Sequence, residues 1–183
     1  MTIDEIVQSS PHQKGWLAYS DFAKHFGGMR QLPDDFRDFL SILNTRQVEY
    51  LVVGGWALGV HGYVRATGDM DIWVGLKEEN LNQLIAALKD FGVPGEISKE
   101  FFQVKGNAFR MGRPPMRIEV ITAATGIDFY QSYQRKIEIE ADGLLIPFLG
   151  YEDLVRNKRS AGRLRDLADL ESLGEPIKNS PQI

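Results

Sequence analysis

Apolar residues recur along this chain with two periods, one helical and one of alternate residues, and the two take turns. After Pro33, the positions Phe36, Phe39, Leu40 and Leu43 return at helical spacing behind Asp34 and Asp35, acids that suit a helix N-terminus. Tyr50-Leu51-Val52-Val53 is a short β-rich apolar run halted by Gly54-Gly55, which predicts a buried strand. Residues 56–61 suit a short helix packed on that sheet, and 70–74 a second strand. The spacing of Leu81, Leu84, Ile85 and Leu88 predicts a helix over 77–91. Further strands are expected over 101–111 and 117–121, parted by the turn-forming Gly112-Arg113-Pro114-Pro115. Alternating Ile137-Glu138-Ile139-Glu140 and the run 144–148 flank Asp142-Gly143, a short-hairpin signal. Helical segments over 151–158 and 164–173 close the pattern, and a polar tail follows Gly174. Ahead of Pro33, Trp16, Leu17, Phe22 and Phe26 outline a peripheral helix among Gly15, Gly27 and Gly28. With no internal repeat and no second core, the expectation is one α/β domain over 47–174. A helical extension over 1–46 precedes it, and the tail spans 175–183.

Composition narrows the function classes. The 183 residues are 43% hydrophobic and 25% charged, close to the globular average, which excludes wholesale disorder. No apolar run approaches the roughly 18–20 residues that span a bilayer, and the polar start over residues 1–13 does not read as a signal peptide. There is no cysteine, so disulfides, thiolate catalysis and a cysteine zinc site are excluded. A cytoplasmic protein without membrane contact is expected. The net charge of −4 lacks the basic excess that carries non-specific nucleic-acid binding. Any role on nucleic acid would rest on a local patch or a chemically defined site.

The candidate chemistry lies in carboxylates. Asp69 and Asp71 stand two apart at the mouth of a strand, so both side chains point to one face, with Cα atoms about 6–7 Å apart. Met70, Ile72 and Val74 take the other face. Like charges held this close favour protonation unless a cation sits between them, and Mg²⁺ typically takes one or two carboxylates plus substrate phosphates. In Arg117-Ile118-Glu119-Val120-Ile121, Arg117 and Glu119 share a phase opposite to Ile118 and Val120. If that strand lies beside 69–74, Glu119 completes a three-carboxylate cluster able to hold two ions about 3.5–4 Å apart. Spacing alone does not decide this, because Glu138 and Glu140 show the same alternation and read as the wet face of a hairpin. Context does. A buried strand runs into Gly54-Gly55 and a helix start, where the backbone can approach a phosphate closely. Neither the dinucleotide fingerprint nor the P-loop pattern is present.

Together, Gly54-Gly55-Trp56-Ala57-Leu58, His61-Gly62 and Arg65-Ala66-Thr67-Gly68-Asp69-Met70-Asp71-Ile72 resemble the signature of the DNA polymerase β-type nucleotidyltransferase superfamily. The resemblance is closest to the minimal branch holding the AbiEii-type abortive-infection toxins and the aminoglycoside and lincosamide nucleotidyltransferases. It covers about 48–173 and continues through Tyr151-Glu152-Asp153-Leu154, Lys158-Arg159, Gly162-Arg163 and Arg165-Asp166-Leu167. It implies a nucleotidyltransferase fold, a mixed β-sheet flanked by helices with further helices at the C-terminus. It also implies Mg²⁺ or Mn²⁺ as cofactor and a nucleoside triphosphate as substrate. Gly54 and Gly55 would border the triphosphate, and Asp69, Asp71 and Glu119 would bind the metals. Lys158 would contact phosphate and Asp166 would serve as acceptor-side base. Arg65 and Thr67 would touch phosphate oxygens. Trp56 follows Gly55 where many relatives carry serine, and the third acid is glutamate where aspartate is common.

The expected reaction moves a nucleoside monophosphate to an acceptor hydroxyl and releases pyrophosphate. RNA such as a tRNA end, a protein and a small molecule such as an antibiotic are all compatible acceptors. The short chain leaves room for a homodimer or partner protein to complete the cleft. The competing expectation is an inactive nucleotidyltransferase-fold protein acting as a binding or antitoxin-like partner. Around this core, His61 reads first as a packed or capping residue, and Trp56 and Trp73 as core aromatics large enough to stack on a base. Arg156, Lys158, Arg159, Arg163 and Arg165 form either a helix face balanced by Glu152, Asp153, Asp166 and Asp169 or a lip for triphosphate or an RNA backbone, with Lys158 and Arg165 the favoured contacts.

Overall fold

Helix α1 (Asp34–Thr45) buries Phe36, Phe39, Leu40 and Leu43 on one face, with Asp34 and Asp35 in its first turn. These four side chains join the same core cluster as the sheet. The structure, a computed structural model, describes residues 32–63, 65–113 and 116–176. The expected helix around Trp16 and Phe22 and the end of the polar tail lie outside them.

Strand β1 (Tyr50–Val53) is buried throughout and passes directly into α2 (Gly54–Val60). Then come β2 (Asp69–Val74) and α3 (Glu78–Asp90), which buries Leu81, Leu84 and Leu88. Buried Asn80 ties α3 to the sheet: its amide donates to the carbonyls of Glu49 and Gly75, and its oxygen accepts from Glu49 N. Helix α4 (Lys99–Gln103), β3 (Ala108–Met111), β4 (Arg117–Ile121), α5 (Phe129–Gln134), β5 (Ile137–Ala141) and β6 (Leu144–Phe148) follow. The chain ends in α6 (Tyr151–Ala161) and α7 (Leu164–Ser172).

The strands form one mixed six-stranded sheet in the order β3-β4-β2-β1-β6-β5. Parallel pairing of β2 with β4 and of β1 with β6 sits among antiparallel neighbours. The β2–β4 register places Asp69 beside Arg117 and Asp71 beside Glu119. Because strand side chains alternate, these four share one face. The other face carries Met70, Ile72, Ile118 and Val120, all 2% exposed or less. Burying that apolar face leaves the register no freedom, since a one-residue slip would bury the acids.

The expected strand over 101–111 is corrected. Ser98 caps a short helix by accepting from Phe101 N, and α4 sinks Phe102 fully into the core, so the strand begins only at Ala108. Adjacent Phe101 and Phe102 cannot both face the core of a one-sided strand, whereas a helical turn lets one go in and the other lie at the surface. Helix α5, capped by Asp128, has no counterpart in the apolar pattern. The Asp142-Gly143 hairpin forms, with both residues at positive φ. Gly162, at φ +61°, ends α6 in a left-handed cap and frees α7 to turn. Among the described residues, no helix is long and apolar enough to cross a membrane.

Candidate active site

Asp69 and Asp71 project from the first half of β2 onto the face left partly open, while α5 covers its far end, where Phe129 meets Trp73 edge-on at 5.1 Å between ring centres. Asp71 is the less comfortable of the two. Burial pushes its carboxyl up to about 6, with the neighbouring charges of Glu119 and Asp69 adding to the rise. Arg117 and Arg65 oppose that rise only through space. Gly54 makes the room. It sits at φ +64°, where a side chain is strained, and a Cβ there would collide with Asp71 Oδ2. Gly54 therefore serves the carboxylate directly, a role the sequence reading did not assign it. Gly55 has a different neighbour: a Cβ would lie 3.0 Å from Thr67 Oγ1, so its bareness lets the 65–68 segment pack on the helix start. Thr67 in turn donates to the Asp69 carbonyl at 3.1 Å.

Two arginines missed by the sequence reading enter this patch. Arg117 Nη2 donates to Asp69 Oδ2 at 2.6 Å, and Arg110, directly across from Glu119 on β3, pairs with Glu119 Oε1 at 2.7 Å. The sequence did hold a signal, since Arg117 alternates in phase with Glu119. Register thus sets the three acids side by side, but their side chains do not close into an ion cage. Among the described residues, no group of three or more His, Asp or Glu could hold a metal ion. Two features nonetheless fit a cation. Asp69 Oδ1 is buried without a hydrogen-bond partner, and the Asp71 carboxylate occupies the space kept by Gly54. Glu119 fits less well, because its Oε1 is taken by Arg110.

The C-terminal helices hold a second charged group. Lys158, 3% exposed, donates to Asp169 Oδ2 at 2.6 Å and to Asp166 Oδ1 at 3.3 Å. Arg65 grips the same Asp169 with two donors, Nε at 2.8 Å and Nη2 at 3.1 Å. Burial alone would raise Asp169, but the hydrogen bonds from Arg65 and Lys158 outweigh it and hold the carboxyl below its ordinary range. Arg165 adds a bond to the Ala66 carbonyl at 3.2 Å. Helix α7 is thereby latched onto the segment that leads into Asp69. Lys158 and Arg165, expected at phosphate, are engaged in this latch. Asp166 keeps Oδ2 buried and unbonded, with Arg163 Nε at 3.6 Å, beyond hydrogen-bond reach. Asp169 was missed as a functional residue, although it lies three positions after Asp166 on the same helix.

The remaining candidates settle into packing. His61 Nε2 donates to the Leu149 carbonyl at 2.7 Å, and its ring meets Tyr151 edge-on. Trp56 packs against Phe36, and both tryptophans are buried in the core. Arg156 and Arg159 pair with Asp153 and Glu175.

Residues 29–174 match the family model described as nucleotidyltransferase of unknown function (DUF6036). The chain belongs to this family. The six-stranded mixed sheet with flanking and C-terminal helices is consistent with a nucleotidyltransferase-like fold, and the family makes the chain a transferase by descent. The matched segment takes in β1, β2, β4 and the α6–α7 pair, so both charged groups lie within the family's span. No curated protein matches the chain.

Proposed function

We propose that this member of the family is a metal-dependent enzyme that transfers a nucleoside monophosphate from a Mg²⁺- or Mn²⁺-bound nucleoside triphosphate to an acceptor hydroxyl, releasing pyrophosphate. One observation carries the reading. Two strand aspartates share a face with Glu119, one of them desolvated in a space that a glycine keeps clear. A bound divalent ion would supply charge screening at the α-phosphate and lower the proton affinity of the attacking oxygen. Asp69 and Asp71 would hold it, through Asp69 Oδ1 and the Asp71 carboxylate, with Glu119 adding negative charge alongside. Gly54 and Gly55 would border the phosphates. Asp166 would serve as the acceptor-side base, held in place by its contact with Lys158. Arg65 and Thr67 would hold the approach to Asp69 in place.

The resemblance of the sequence to AbiEii-type and antibiotic-modifying enzymes supplies the acceptors to test: RNA, a protein hydroxyl or a small molecule. A second reading, an inactive protein that binds a partner, draws on the arginines already paired with Asp69 and Glu119. The deciding experiment incubates the protein and Mg²⁺ with each labelled triphosphate and with cellular RNA, protein and small-molecule fractions. Label should enter one fraction and vanish in Asp69→Asn and Asp71→Asn variants that keep their circular dichroism. Unchanged transfer in both variants would reject the assignment, and absence of magnesium-dependent nucleotide binding would favour the partner role.

A further inference from the structure

The contact between Arg117 and Asp69 is made by only half of each group. A guanidinium and a carboxylate match best through two parallel hydrogen bonds. Here Arg117 Nη2 meets Asp69 Oδ2 at 2.6 Å, while Arg117 Nε and Asp69 Oδ1 are both buried with no partner. A donor and an acceptor are thus left unmatched within one ion pair. Contrast Arg65, which grips Asp169 with two donors. The chain makes the complete arrangement where it builds structure, and an incomplete one at the candidate active site.

Charge and position sharpen the contrast. Asp69, Asp71 and Glu119 share their face with Arg110 and Arg117, which leaves the patch one negative charge in excess. Arg117 stands beside Asp69 in the register and diagonally from Asp71, and its side chain is 30% exposed, so its head has a route outward. Lys158 and Arg65 have no such freedom, because leaving Asp169 would strand a buried carboxylate.

We infer that Arg117 is an exchangeable counter-ion: it neutralises Asp69 in the ligand-free protein and moves to a phosphate oxygen when a divalent cation and a triphosphate enter together. The cation takes over Asp69, including the oxygen now without a partner, and the phosphate accepts from the guanidinium. Each unmatched group of the resting pair then has a partner of opposite character. This inference rests on the proposed nucleotidyl transfer and assigns Arg117 a positioning role for the triphosphate.

The test reads two binding constants that should move in opposite directions. Mn²⁺ alone is titrated by electron paramagnetic resonance, and Mg²⁺ with each of the four nucleoside triphosphates by calorimetry. In Arg117→Met, Mn²⁺ should bind about threefold tighter or better, because its competitor is gone, while triphosphate affinity falls about tenfold or more. Arg117→Lys, which keeps the charge, should retain triphosphate affinity within about threefold. A variant that loses both affinities, or keeps triphosphate affinity unchanged, overturns the exchange. Should the wild-type protein bind triphosphate normally and only this pattern fail, nucleotidyl transfer stands without it. A wild-type protein that binds none of the four overturns both.

Discussion

Asp169 and Asp71 are both aspartates held away from water, yet the molecule treats them oppositely. Asp169 accepts from Lys158 and from two atoms of Arg65, and these bonds hold its carboxyl below the ordinary range against the pull of burial. Asp71 sits between two other acids, and burial pushes it up to about 6. The contacts around Asp169 are complete without a ligand, as befits a latch, whereas neighbouring Asp166 keeps one buried oxygen unbonded. The β2–β4 patch is incomplete: it carries a desolvated acid, an unbonded Asp69 oxygen and a half-made ion pair. Local discomfort of this kind is what a binding site retains and a structural cluster removes.

The largest expected effect breaks the complete cluster. Asp169→Ala should leave the buried Lys158 with only its longer contact to Asp166 and deprive Arg65 of its partner, lowering stability by about 3–5 kcal/mol, read as a drop in the urea midpoint. A loss no larger than that of a surface ion pair would mean that the latch is not a buried cluster.

A smaller effect of opposite sign is expected at the other aspartate. Folding raises the Asp71 pKa above its unfolded value, so the group's contribution to stability is fully present below about pH 4 and is lost as pH rises through about 6. Asp71→Asn should therefore stabilise the protein at pH 7 by on the order of 2 kcal/mol, and by little at pH 4. Thermal unfolding at the two pH values reads this directly. Saturating Mg²⁺ should narrow the difference by stabilising only the wild type.

An effect of similar size joins the two elements of the patch. Gly54→Ala should cost about 2 kcal/mol, from the positive φ and the collision with Asp71. In an Asp71→Ala background the steric part should disappear and the conformational part persist. Full additivity of the two changes in a double-mutant cycle would show that Gly54 does not serve the carboxylate.

Much of this architecture was legible in linear form, for reasons that are local. The phase of Asp69 and Asp71 against Met70, Ile72 and Val74 follows from strand alternation, and the shared phase of Arg117 and Glu119 follows likewise. The Asp142-Gly143 hairpin and the α3 stripe rest on turn chemistry and helical periodicity within a few residues. Helices α4 and α5 were missed because each is short, and neither shows a full period of apolar residues; caps at Ser98 and Asp128 start them. At the site, the acids were found because they are close in sequence or in phase. Arg110, Arg117 and Asp169 were passed over as functional because their partners lie on other elements: Arg117 meets Asp69 from 48 positions away and Asp169 meets Arg65 from 104.

By itself the chain's order of residues determined which side chains share a face of each strand or helix, because that depends only on backbone repeat. It also set where the chain must turn, through glycines and caps. Tertiary structure alone decided which charges meet. Pairing β2 with β4 put Asp71 against Glu119, docking α7 on residues 65 and 66 gave Asp169 its partners, and folding α2 over β2 made Gly54 the wall of the Asp71 space. The physical reason is range. Periodicity acts over a few residues, whereas desolvation and ion pairing depend on whatever the fold brings within a few ångströms.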